Sequence, residues 1–271
     1  KDVKHYYYMG KDNLVFHALF WPGQLMAYDD ALHLPDTVSV NMFLDFDGKK
    51  FSKSRGNIIS IKDFVEHFGN DSTRFYLTYI MPEYRDTSFS WSDFEDKVNH
   101  ILVANLGNFI HRTLSIAKKL DISELSLLSV DEDIKNTILN SFKASRSHLD
   151  ASEFRKCLDE ILALSSFGNK FIDKKQVWAL RKDNPDEYQK AMKELLLIVV
   201  ALAYLITPIL PDASRRLFET LGLGLLESWP QQEDLIASFE RDLNNISLRL
   251  TEPLFRQVDT SDLPKEFDGF K

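Results

Sequence analysis

Apolar positions along the 271-residue chain change their spacing once, near residue 90. From Lys4 to Met9 and again from Thr37 to Phe46 the residues are β-branched and aromatic, and between them Leu14 to Tyr28 repeats at helical spacing. That succession predicts a βαβ unit. Ser60 with Asp63 forms a capping box for a helix that carries Ile61, Phe64, Val65 and Phe68 and stops at Gly69. Asp71 is predicted to cap the next helix, Ser72 to Ile80, which Pro82 closes. From Ser92, with Glu95 completing a second capping box, the period is 3.6 almost to the end. Breaks fall near Asp121 to Asp131, at Asp150, at Lys182 to Pro185 and at the elbow Thr207 to Pro211. Asn184 and Pro185 make a standard helix opening, a cap followed by a proline in the first turn. The pattern predicts an α/β segment at the start of the chain, short helices up to about residue 91, a mainly α-helical bundle over 92–250 and a tail over 251–271.

Composition narrows the class. Hydrophobic residues are 44% of the chain and aromatics 12%, enough for one large core or two ordinary ones. The apolar run Leu195 to Ile206 is shorter than a bilayer requires and is followed by Pro208 and Pro211, so it predicts a buried helix and no membrane partner. Cys157 is the sole cysteine, which excludes an internal disulfide and a cysteine-cluster metal site and points to a reducing, cytoplasmic setting. The first residues lack the apolar run of a secretion signal and enter strand-like sequence at once, as if cut from something longer. The formal net charge is −8, and residues 1–90 hold ten Lys and Arg against twelve Asp and Glu. This balance argues against a sequence-blind grip on a nucleic acid backbone but leaves room for local basic patches, so any RNA contact must be focal.

Against that acidic background the segment Gly48 to Asn57 stands out. Lys49, Lys50, Lys53 and Arg55 share ten residues with Ser52, Ser54 and two glycines. Lysines supply mobile point charges, hydroxyls supply donors, and glycines let the backbone approach a ligand, a composition suited to phosphate. A Lys-rich turn alone is most often a solvated loop, so its neighbours decide. Gly10 and Asp12 sit at the carboxyl end of the first strand, where open α/β sheets bind ligands and a carboxylate can accept from ribose hydroxyls. His17 opens the following helix among apolar residues, well placed for a small substrate. On an ideal helix Asn105, Asn108 and Arg112 fall within about 60° of one another. Their forked donors suit base edges, and Trp178 offers a platform for an unstacked base.

Several motifs coincide with one family. YYYMGKDNLVFHALFWP at Tyr6 to Pro22, KFSKS at Lys50 to Ser54, RFYLTYIMPE at Arg74 to Glu83 and NLGNFIHR at Asn105 to Arg112 resemble methionyl-tRNA synthetases. GNKFIDKKQVW at Gly168 to Trp178, LITPILP at Leu205 to Pro211 and EPLF at Glu252 to Phe255 extend the resemblance over nearly the whole chain. Phe51 in the signature and FSWSDF at Phe89 to Phe94 are similar to the archaeal and eukaryotic branch.

The resemblance implies a methionine–tRNA ligase, with ATP and its magnesium ion, methionine and tRNA(Met) as partners. It implies that Gly10 and Asp12 face adenosine, that Lys53 reaches the triphosphate with Ser52, Ser54 and Lys50 beside it, and that His17 belongs to the methionine pocket. Asn108, Arg112 and Trp178 match positions that recognise the CAU anticodon. The resemblance implies that residues 1–56 are a partial α/β Rossmann fold, the C-terminal half of the class I catalytic domain, that 57–91 correspond to the stem-contact region and that 92–250 are the anticodon-binding domain. Val177 stands where the family usually has proline. The family's His-x-Gly-His turn and its zinc-bearing insertion are not in this sequence, so the chain is expected to carry no zinc site and to be inactive alone. The rival readings are a stand-alone tRNA-anticodon-binding module without catalysis and a class I synthetase for another amino acid.

Overall fold

The computed structural model describes residues 3–50, 59–118, 120–224, 228–249, 252–261, 263 and 267. The chain divides into two compact units: residues 1–59 with 80–90 and 265–271, and residues 60–79 with 91–264.

In the first unit β1 (Tyr6–Gly10) pairs in parallel with β2 (Thr37–Asn41), in a register that sets Tyr6 opposite Thr37 and Gly10 opposite Asn41. The crossover is helical. A 3-10 turn, Lys11–Asn13, leads to a π-helical stretch, Phe16–Phe20, and on into α1 (Trp21–Tyr28). The βαβ expectation holds, but the run Thr37 to Phe46 is not one strand. It breaks because the Met42 amide donates to the Pro82 carbonyl at 2.7 Å and the Phe43 amide to the Asp86 carboxylate at 2.8 Å. The chain thereby changes sheets: β3 (Leu44–Phe46) lies between β4 (Lys49–Lys50), antiparallel, and β5 (Thr87–Phe89), parallel. Phe46 and Phe89 are buried and stacked, with centroids 5.7 Å apart.

The second unit opens with α2 (Ile61–Phe68), where the Ser60 hydroxyl accepts from the Asp63 amide as the capping box requires. Gly69 ends it at φ 83°, a left-handed value that favours glycine. That sharp stop lets α3 (Asn70–Tyr79) begin at once, two residues earlier than the sequence predicts. Asp71 is consequently inside the helix and caps a different one. Its carboxylate accepts from the amides of Asp212 and Ala213, at 3.3 and 2.5 Å, at the start of α10 (Pro211–Leu221). Arg74 reinforces the same junction by donating to the carbonyls of Ile209 and Pro208, at 2.8 and 2.9 Å.

The bundle comprises α4 (Trp91–Lys97), a π-helical segment Val98–Gly107, α5 (Asn108–Ala117), α6 (Glu132–Asp150), α7 (Phe154–Lys175), α8 (Val177–Asp183), α9 (Pro185–Leu205), α10 and α11 (Leu235–Asn244). Its axis is α9, buried on every side from Ala191 to Leu205. A helix apolar all round must be enclosed by others or by lipid. Here α5, α6, α7, α8, α10 and α11 enclose it, and none of the described helices is long and apolar enough to cross a membrane. Asn184 caps α9, its side chain accepting from the Glu187 amide at 3.3 Å. Two charges interrupt the buried face. Lys193 donates to the Leu128 carbonyl at 2.5 Å and Glu194 accepts from the Asp131 amide at 3.0 Å, which fastens the connection before α6. Glu95 accepts the Thr260 amide and hydroxyl and so ties part of the tail to α4.

Candidate functional site

The described residues among those singled out above divide between the two units. In the first, Gly10 ends β1 with φ −74° and ψ 156°, which any residue adopts, and a Cβ there would meet nothing within 4 Å. Packing does not demand this glycine, whereas a ligand approaching the backbone would. Asp12 is exposed in the 3-10 turn beside it. Lys11 is engaged elsewhere, paired with Asp86 at 2.8 Å and 4.0 Å from the centroid of the Phe43 ring. Lys50 ends β4 opposite Asp45; Ser52, Lys53 and Ser54 lie outside the described residues.

His17 sits in the π-helical stretch with its Nδ1 at 3.0 Å from the Asn13 carbonyl. A carbonyl can only accept, so Nδ1 carries the proton and Nε2 is left as the acceptor of the neutral ring. The ring stands 6.5 Å from Tyr7 and 6.4 Å from Trp21, which meet each other edge-on at 4.9 Å. These three, with Phe16, Phe20 and Gln24, line a cavity of about 550 Å³. Sequence reasoning chose His17 and missed Tyr7 and Trp21. The spacing was available, since Trp21 follows His17 by one helical turn, but the approach of Tyr7 from β1 is tertiary.

The second cluster lies where α5 crosses α7. A Cβ on Gly168 would come within 2.2 Å of Cε2 of Phe109, so the bare glycine is what lets the helices close. Asn105 then reaches across. Its amide donates to the Ser166 hydroxyl at 2.8 Å and to the Leu162 carbonyl at 3.2 Å, and its oxygen accepts from Ser165 at 2.9 Å. Asn169 donates back to the Asn105 carbonyl at 3.1 Å. Asn105 is thus spent on α7, whereas Asn108 is exposed. The two part company because the segment up to Gly107 is π-helical, which breaks the even turn assumed for a straight α-helix.

Arg112, half-buried, donates to the Asp173 carboxylate at 2.7 Å and to Asn169 at 3.5 Å. Asp173 is in the last turn of α7. The helix ends at Gln176, a non-glycine residue in the left-handed region at φ 47° and ψ 50°. Its carbonyl accepts from the Ala179 amide at 2.7 Å, which starts α8. Val177 is buried at that turn and Trp178 is 56% exposed. An exposed tryptophan beside a buried valine, held by a strained backbone residue, fits a surface platform and not a core filler. Burial pushes the Cys157 thiol up to about 11, which removes it as a nucleophile.

The family described as tRNA synthetases class I (M) matches residues 1–114, and that described as the anticodon binding domain of methionyl tRNA ligase matches residues 126–269. The chain belongs to the methionyl-tRNA ligase family. Among curated relatives, the methionine–tRNA ligase of Methanopyrus kandleri is 36% identical over 265 residues, 98% of this chain and 39% of the relative. That of Thermococcus kodakarensis is 35% identical over 95% of this chain and 35% of its own length. The chain therefore spans less than half the length of these ligases. In structure it is similar to the methionyl-tRNA synthetase of Mycobacterium tuberculosis in complex with methionyl-adenylate, with a TM-score of 0.74 at 23% identity over 92% of this chain and 49% of that one. The last likeness concerns fold. Class I α/β segment followed by a helical domain is the architecture these matches share with the chain.

Proposed function

We propose that this chain supplies the KFSKS loop and the anticodon-reading surface of a methionine–tRNA ligase, which activates methionine with ATP and transfers it to tRNA(Met). One observation carries most weight: the family match covers both units, and the crossing of α5 and α7 sets Arg112 against Asp173, five residues before the exposed Trp178.

In the first step the methionine carboxylate attacks the α-phosphorus of ATP and pyrophosphate leaves; in the second, a terminal ribose hydroxyl of the tRNA takes the aminoacyl group from the adenylate. Such chemistry needs positioning and charge neutralisation more than a protein nucleophile. Gly10 lets adenosine approach the backbone and Asp12 accepts from its ribose. Lys53, aided by Ser52, Ser54 and Lys50, stabilises the departing pyrophosphate. Magnesium is assigned to the ATP phosphates as their counter-ion. The methionine side chain is assigned to the aromatic cavity around His17. Thioether sulfur is favoured at ring edges, and Tyr7 and Trp21 supply them. Without the His-x-Gly-His turn, the 271 residues are not expected to form adenylate by themselves.

At the other cluster, Trp178 stacks an unstacked base while Asn108 and Arg112 offer donors to base edges. The test is a titration of the chain with an RNA hairpin carrying a CAU loop and with the same stem carrying a scrambled loop. Preference for CAU is the expected result; equal affinities would remove the reading.

A further inference from the structure

Lysines in the helical unit are mostly tied down. Lys97, Lys135, Lys156, Lys175 and Lys190 each pair with a carboxylate, and Lys193 is buried on a backbone carbonyl. Lys118, Lys143, Lys170, Lys174 and Lys182 depart from that habit: all are exposed and none has a carboxylate within ion-pair distance among the described residues. Of these, Lys170, Lys174 and Lys182 fall together in sequence around Trp178. Asn169 and Asp173 are the i, i+4 pair that α7 turns toward Arg112. Lys170 and Lys174 are the next pair around the same helix, displaced by about 100°. Across the Gln176 turn, Lys182 follows Trp178 by four residues on α8, so the two share one face. Over residues 165–183 the chain holds five cations against two carboxylates, within a protein of net charge −8. Of those two carboxylates, Asp173 is already neutralised by Arg112.

We propose that Lys170, Lys174 and Lys182 form a phosphate track beside Trp178, which holds the sugar-phosphate backbone of the strand whose bases the neighbouring side chains read. The proposal rests on the RNA-binding reading above and adds a division of labour to it. An aromatic face accepts any base, forked donors select among bases, and compact ammonium groups take phosphates without regard to sequence. An acidic protein cannot hold RNA by its general field, so the attraction must be concentrated where the reading occurs. A lysine that a carboxylate neutralises is removed from that task; these three, next to the tryptophan in sequence, are left available.

The experiment compares the 271-residue chain with the triple variant K170A/K174A/K182A and with K170R/K174R/K182R, titrating the CAU-loop and scrambled-loop hairpins at several potassium chloride concentrations. Each lysine that releases a counterion from single-stranded RNA contributes about 0.7 to the slope of log affinity against log salt. The alanine variant is expected to bind more weakly and to lose about two from that slope, while the ratio of CAU to scrambled affinities stays the same and the arginine variant restores the slope. An unchanged slope in an alanine variant that retains the thermal midpoint of the parent overturns the track. If the alanine variant unfolds, the arginine variant and the single variant Lys182→Ala carry the decision on the same slope. Failure of the underlying reading looks different: the parent then shows no CAU preference, whatever the lysines do to the salt dependence.

Discussion

Arg112 and Asp173, 61 residues apart in sequence, meet across 2.7 Å, with Asn169 touching the same guanidinium at 3.5 Å. The contact is half-exposed, so it contributes little to stability, on the order of 0–1 kcal/mol. Its effect is geometric: two acceptors hold a planar fork in one orientation.

Replacing that fork by a point charge separates geometry from charge. Arg112→Lys is expected to leave the salt dependence of hairpin binding intact but to reduce discrimination between CAU and scrambled loops by about 1–3 kcal/mol, the worth of one good bidentate contact. Paired titrations at fixed salt decide it. Discrimination equal to that of the parent would remove Arg112 from base reading.

Gly168 faces Phe109 so closely that an added methyl group overlaps a fully buried ring. Gly168→Ala is expected to destabilise the helical unit by about 1–3 kcal/mol through overpacking, read as a lower denaturant midpoint. Phe109→Leu in the same chain should recover part of the loss. A Gly168→Ala protein as stable as the parent would mean that α5 and α7 need no glycine to close.

Trp178 can be removed with little effect on the fold because it is 56% exposed. Trp178→Ala is expected to weaken CAU-hairpin binding by about 1–3 kcal/mol, the usual value of one stacked base, with an unchanged melting profile. The Gln176 turn should matter through its backbone. Gly or Asn at 176 tolerates the left-handed conformation, and binding should survive those changes, whereas Gln176→Val should impair it. Equal binding across the series would show that the turn does not aim the tryptophan.

Asp71 sets a pH dependence. Burial raises its pKa above the ordinary 3.8, outweighing the two amides it accepts from, and nearby Asp212 raises it further. The folded protein therefore holds this proton more tightly than the unfolded chain. The stability that follows is complete below 3.8 and is lost as pH rises through the elevated value. Asp71→Asn removes the titration, so the variant should gain on the parent in urea unfolding as pH goes from about 4 to about 7. A constant difference across that range would contradict the assignment.

Lys53→Ala in the full-length ligase is expected to lower methionine-dependent pyrophosphate exchange by roughly 10² to 10³, the scale of one lost transition-state contact. An unchanged exchange rate would refute the role given to the KFSKS lysine.

Several caps and the main buried helix were legible where partners are near in sequence. Ser60 with Asp63, Asn184 before Pro185 and the enclosed run from Leu195 were all readable, because a cap is settled within three residues and a helix apolar on every side has nowhere to go but inside. Asp71 illustrates the opposite case. By local rules it caps its own helix, yet the amides it accepts from belong to residues 212 and 213.

The candidate sites divide along the same line. The identities of Gly10, Asp12, His17, Asn108, Arg112 and Trp178 came from residue chemistry and family likeness. That Tyr7 and Trp21 join His17, that Asn105 is consumed by α7 while Arg112 is clamped, and that a glycine governs the crossing depended on which surfaces met. Sequence alone determines periodicity, charge and local hydrogen bonds, since these act between residues a turn or two apart. Contacts between distant segments follow from close packing of whole helices, where the shape of each face decides which side chains remain free to act.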